Sequence, residues 1–384
     1  MRVLMQRLQV PSTGIFNRLL WDVSGAFGDI GVLFPIAVAL IIKSGFNPAA
    51  LFLMAGLFYI LSAFYFKITM PVQPLKAMFA IAIATGLGAE VINAAGLAMG
   101  LLLIFLALTG ISEWLGSVFP LSVIRGIQLG LGFLLVKTSL GLMHADLLLA
   151  VVSGAILLAC VLLFKKIPPL IPLLILGLGF SLSGLTPQPL FHGSFLPKLP
   201  DLEHIRIGLT TLVIPQLALT FGNAVVATEA TGKLLYGEKA ARLNLKSIPL
   251  SMGLANIVSG IMGGIPMCHG SGGLTAHFKF GATGPRSGYI IGLTLVAFAL
   301  ISGDAALSAV AAFPSAILGV LLCYVGIEHA MFVRDILWDK RAVAVATIVA
   351  LVGLATNNLT FGFLAGGVCH YALLWLKAPA KDQE

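Results

Sequence analysis

Apolar residues run along this chain in blocks long enough to cross a bilayer, separated by short clusters of Gly, Pro and charge. Residues 23–42, 49–66 and 147–164 are examples. A helix of about 17–25 apolar residues spans the hydrocarbon layer. Hydropathy, with breaks at Gly, Pro and charge, predicts about fourteen membrane segments. Their limits are 20–42, 48–66, 67–86, 91–111, 119–140, 145–164, 167–185, 207–232, 246–263, 264–280, 285–303, 307–328, 340–356 and 359–376. The predicted fold class is an all-α membrane protein. The third and tenth segments stand apart, being short, polar and broken by Pro or Gly.

Short motifs recur at a nearly constant spacing. Phe27-Gly28-Asp29 returns as Phe221-Gly222-Asn223, 194 residues later, and Phe119-Pro120 returns as Phe313-Pro314 at the same spacing. Pro71, opening the third segment, returns as Pro266, opening the tenth, at 195. A spacing of seven segments is odd, so the second copy enters the membrane from the opposite side. The expected architecture is therefore a 7+7 inverted repeat. The first repeat covers 20–185 and the second 207–376, joined by an extracytoplasmic loop at 186–206. Tails at 1–19 and 377–384 are expected in the cytoplasm.

The two broken segments are where candidate chemistry concentrates. Irregular backbone is tolerated at membrane depth only where protein or a water-filled cavity satisfies it. Pro71 and Pro74 prevent a continuous helix, since each lacks an N–H. The sequence predicts a short extended piece over 68–72, then a half-helix from about Pro74 to Thr85. In the tenth segment an extended piece again precedes a half-helix, opening near His269. Each helix start carries roughly half a positive elementary charge and free N–H donors. Two such ends facing one gap make an anion site.

Composition and charge sharpen this picture. Of 384 residues, 59% are hydrophobic and 10% charged, against about 25% charged in soluble domains. The net charge of +8 could suggest nucleic acid, but its distribution is topological. With the N-terminus inside, sixteen Lys and Arg fall on the cytoplasmic side and only Lys43, Lys137, Lys198 and Arg206 outside. Lys67, Lys76 and Arg125 remain within segments. The basic N-terminus lacks the apolar core of a signal peptide and reads as a cytoplasmic tail. The expected location is the cell (inner) membrane, multi-pass, with both termini cytoplasmic. The four cysteines have no paired spacing, so no disulfide framework and no metal site is expected.

Lys76 sits at a half-helix start, where a cation opposes the dipole. It makes physical sense beside a substrate anion, or beside an acid such as Glu229 or Asp29. The expected substrate-binding residues are Gln73, Pro74, Lys76, Cys268, His269, Gly270 and Ser271. His269 is expected to donate a ring N–H to an oxyanion or to cap backbone; Cys268 alone reads as a small buried hydrophobe. Glu229 is a candidate proton-coupling group, with Asp29 and Asn223 as coupling or supporting residues. No catalytic order and no Walker motif are present, so neither an enzyme nor a nucleotide-driven pump is expected.

Phe27-Gly-Asp-Ile-Gly31, Pro71-Val-Gln-Pro-Leu-Lys76 and Gly264-Ile-Pro-Met-Cys-His-Gly-Ser-Gly-Gly-Leu274, followed by Phe280-Gly-Ala, together resemble the signatures of the molybdate transporter family. That family is related to the sulfate permeases and more distantly to uracil permease. The resemblance implies a core domain and a gate domain, each drawn from both repeats. It also implies a tetrahedral oxyanion held between the third and tenth segments and moved by alternating access. Gln73, Lys76, Pro266, Cys268, His269 and Gly270 match the motif positions. Sulfate permeases usually append a soluble domain, whereas eight residues follow Leu376 here; this favours molybdate over sulfate. A nucleobase is the weaker alternative, because Lys76 and two helix dipoles favour an anion. The expected partners are the oxyanion, a co-transported proton or cation, the lipid bilayer and a second copy in a homodimer. Nucleic acid and cofactors are not expected.

Overall fold

The computed structural model describes residues 15–28, 30–112, 114, 120–163, 170–183, 199–301, 312–356 and 359–375. Asp29, residues 1–14 of the N-terminal tail and the whole C-terminal tail, 377–384, lie outside these residues. The first half comprises α1 (Ile15–Ala26), α2 (Ile30–Ser44), α3 (Pro48–Phe66), β1 (Gln73–Pro74), α4 (Lys76–Thr85), α5 (Ala89–Thr109), α6 (Leu121–Met143), α7 (Leu147–Leu163) and α8 (Leu170–Ser183). The second begins with α9 (Leu202–Ile207), α10 (Ile214–Leu219) and α11 (Ala227–Tyr236), joined by π-helical stretches at Gly208–Val213 and Thr220–Val226. There follow α12 (Ser247–Met262), β2 (Met267–Cys268), α13 (Ser271–Lys279), α14 (Arg286–Ile301), α15 (Ser315–Ala330), α16 (Lys340–Ala355) and α17 (Leu359–Trp375).

Local signals set the boundaries. Asn47 accepts a bond from Ala50 N at 3.1 Å, and Pro48 follows it, the ordinary start of a helix. Gly86, at φ 72, lets the chain turn away after α4. The expected first segment is divided into α1 and α2 around Phe27-Gly28. There α13 comes close to the chain: a Cβ on Gly28 would stand 2.9 Å from Ala276 O. The matching Phe221-Gly222-Asn223 falls in the second π-helical stretch. The backbone thus leaves α geometry at both copies of the motif.

Among the described residues, four helices are long and apolar enough to span a membrane: Pro48–Phe66, Ala89–Thr109, Leu121–Met143 and Ser315–Ile336. Leu202–Leu219 and Ala224–Ala240, bent by 45°, together form a fifth candidate. Apolar side chains cover the outside as well as the interior. Phe64, Leu101, Leu148 and Val368 are all more than half exposed. Such a surface suits lipid, and this is a multi-pass membrane protein.

The helices pack in two groups. In one, α3 lies on α14 and α5 on α12, so each pair joins the two halves of the sequence. In the other, α6 packs on α15 and α16, α17 covers α16, and α7 lies against α15. Contacts of α4 with α6 and of α2 with α15 join the groups. Close approach in three of these pairs depends on paired glycines. A Cβ on Gly56 would stand 2.7 Å from Gly292 O, on Gly100 2.8 Å from Gly253 O, and on Gly132 2.6 Å from Gly326 O.

Candidate functional site

The two broken segments meet. β1 and β2 pair antiparallel, with Gln73 opposite Cys268 and Pro74 opposite Met267. Leu75 N donates to Pro266 O at 3.2 Å, and Asn256 Oδ1 on α12 takes Met267 N at 2.6 Å. Each strand runs directly into a short helix, α4 from one and α13 from the other. The helix starts therefore flank the strand pair. The first of them differs from expectation: Pro74 belongs to the strand pair, and the helix opens at Lys76. Without an N–H, Pro74 leaves the donor role to Leu75, which delays the helix by two residues.

Lys76 occupies the first position of α4 and is half-buried. It lines a small cavity with Gln128 of α6, Gln216 and Leu219 of α10, Ala224, Cys268, His329 of α15 and Phe332. This cavity lies where the two helix groups meet. Its volume is 20 Å³, close to the roughly 10–15 Å³ that one water requires. A second, larger opening of 540 Å³ lies at the other end of α4, between Ile81, Ile83 and Thr85 of α4 and Leu134, Lys137 and Thr138 of α6.

The remaining expected residues divide. Gln73 is buried, and its Oε1 lies against Gly270, at the point where a Cβ would project. Cys268 Sγ is 3.8 Å from Pro74 O, across the strand pair. Ser271 opens α13, and a Cβ on the adjacent Gly272 would meet nothing within 4 Å, so space is open beside that helix start. His269 is turned away from the Lys76 cavity. Its Nδ1 is 2.8 Å from Pro71 O and its Nε2 3.1 Å from Ser251 Oγ, and its ring stacks on Phe58. In this arrangement its ring links the backbone at Pro71 to Ser251 of α12.

Glu229 does not reach Lys76. Its Oε1 pairs with Lys233 Nζ at 2.5 Å, one helical turn on. The backbone of Asn223 lies in the π-helical stretch. Arg125 bonds to Asp335 and to Gln128 Oε1 (2.9 Å), and lies over Phe332. It thereby braces two residues of the cavity wall.

Sequence reasoning missed Gln128, Gln216 and His329. Gln216 is 2% exposed, and its Oε1 accepts from Ala77 N at 2.9 Å and Met78 N at 3.1 Å. Its Nε2 donates to Thr220 Oγ1 at 3.1 Å. A side chain from α10 thus caps α4 in place of a local residue. In the sequence Gln216 stands out only as the polar residue after Pro215 within the apolar run Ile214–Leu219.

Residues 22–135 and 208–328 match the family described as molybdate transporter of the MFS superfamily. Molybdate transporter 1 of Arabidopsis thaliana is 28% identical over 416 residues, covering 94% of this chain and 90% of the relative. Molybdate transporter 2 of the same plant is 28% identical, with 94% and 88% covered. Among solved structures, the transmembrane domain of a cyanobacterium bicarbonate transporter, BicA, gives a TM-score of 0.67 at 19% identity, covering 93% of this chain and all of that one. The murine solute carrier 26 family member A9 anion transporter, in the inward-facing state, gives 0.70 at 16% identity, covering 98% and 72%. The fold is therefore shared with these transporters.

Proposed function

This chain belongs to the molybdate transporter family, and on that premise we propose that it is a secondary active transporter moving a tetrahedral oxyanion, molybdate above sulfate, by alternating access. One observation carries the reading: Lys76, at the first position of α4, lines a buried cavity with Cys268 beside the junction of β1 and β2. A fixed cation and helix-start donors there favour an anion over a neutral base. Gln73, Pro74, Gly270 and Ser271 complete the proposed site from the strand pair and the start of α13. His269 supports it by fixing the backbone at Pro71.

The proposed architecture is the 7+7 inverted repeat of fourteen segments, in the inner membrane with both termini cytoplasmic. Helix pairing supports it. At a spacing near 195 residues, α3 corresponds to α12 and α5 to α14, so the pair α3–α14 corresponds to α12–α5. Likewise Gly56 and Gly292 correspond to Gly253 and Gly100. The two helix groups fit a core domain and a gate domain, with the cavity between them. Glu229 is the proposed coupling group. The test is uptake of labelled molybdate in competition with sulfate, tungstate and uracil. Tungstate and molybdate should compete best, sulfate less, and uracil not at all. Strong competition by uracil alone overturns the reading.

A further inference from the structure

We infer that Gln216 sets the anion affinity of this site by competing with the substrate for the first-turn N–H groups of α4. The inference rests on the oxyanion reading above and adds a residue that the motifs do not contain.

The start of α4 has donors to satisfy, because first-turn N–H groups lack partners within the helix. Leu75, immediately before the helix, supplies no side-chain cap. Gln216 does so from α10, through one carbonyl oxygen on Ala77 N and Met78 N. Thr220 Oγ1 takes its amide hydrogen and fixes which end of the carboxamide faces the helix. Lys76 lines the same cavity. A buried neutral acceptor therefore occupies the two donors closest in sequence to the one cation of α4.

Neutrality is the useful property. An oxyanion forms charge-assisted bonds with the same N–H groups, about twice as strong as those of an amide oxygen. It can displace a carboxamide, and the cavity, with space for about one water, demands that a lining side chain withdraw before an oxyanion fits. A carboxylate at position 216 would bind the donors as firmly as the substrate does and would pair with Lys76. It would therefore hold its place. Gln216 caps the helix well enough to satisfy buried backbone and weakly enough to be displaced.

The test uses purified full-length protein in detergent, with calorimetric titration of molybdate and, separately, sulfate. Gln216→Glu preserves size and cap, so its melting temperature should stay at or above wild type while affinity falls roughly tenfold or more. Gln216→Ala frees the donors and enlarges the cavity, so its melting temperature should fall while affinity rises several-fold. Opposite movement of stability and affinity is the signature, since a purely structural residue would move them together. Wild-type affinity in Gln216→Glu overturns the inference. So does weakened binding in Gln216→Ala, which would make the carboxamide a direct substrate ligand. If wild-type protein binds neither anion, the oxyanion reading itself falls.

Discussion

Lys76 is the residue on which the proposed chemistry turns. A lysine at the first position of a helix is disfavoured by the dipole, and Glu229 does not relieve it, being paired with Lys233. Lys76→Ala should therefore abolish anion uptake, by at least about tenfold on the scale of a lost charge-assisted contact, while surface expression is retained. Normal uptake would remove Lys76 from the site. Gly270 offers a subtler probe. A methyl group there would strike the far end of the Gln73 side chain, which can move. Gly270→Ala should leave the melting temperature nearly unchanged and weaken anion binding, measured by titration. Glu229→Gln should remove the dependence of uptake on a proton gradient; unchanged coupling would count against its proposed role. The motif residues were legible because prolines, glycines and charges are conspicuous in an apolar run. Gln216 and His329 were not, because a neutral polar residue in a helix carries no pattern of its own. The meaning of Gln216 came only from the backbone that faces it across the fold.

At the scale of elements, two features set the geometry: the strand pair and the glycine contacts. Asn256 holds Met267 N from α12, so Asn256→Ala leaves a buried donor without that acceptor. It should cost about 1–3 kcal/mol, seen as a lower melting temperature in detergent together with lost anion binding. Gly100 lies where α5 and α12 touch backbone to backbone. Gly100→Leu should reduce folded yield sharply, whereas Gly154→Leu, with nothing within 4 Å of its Cβ, should not. Most helix limits were readable from hydropathy: 246–263 was expected for Ser247–Met262, and 340–356 for Lys340–Ala355. The break between α1 and α2 was not; it lies where Gly28, lacking a Cβ, admits the close approach of α13, a contact between distant parts of the chain.

At the scale of the whole molecule, the cavity and the wider opening near Lys137 both lie between the helix groups, at opposite ends of α4. If the groups move against each other during transport, tethering them across that opening should stop it. Cysteines at Ile83 and Thr138, joined by a short reducible cross-linker, should block uptake, and reduction should restore it. Retained uptake in the cross-linked protein would argue against this motion. The strand pair also has a consequence in time. Gln73 and Cys268 are 195 positions apart, and synthesis at about 5–20 residues per second separates them by roughly 10–40 s. Throughout that interval the first strand is without its partner. The nascent first half is thus an incomplete object, with the pairing groups of its strand unmet until the second half arrives.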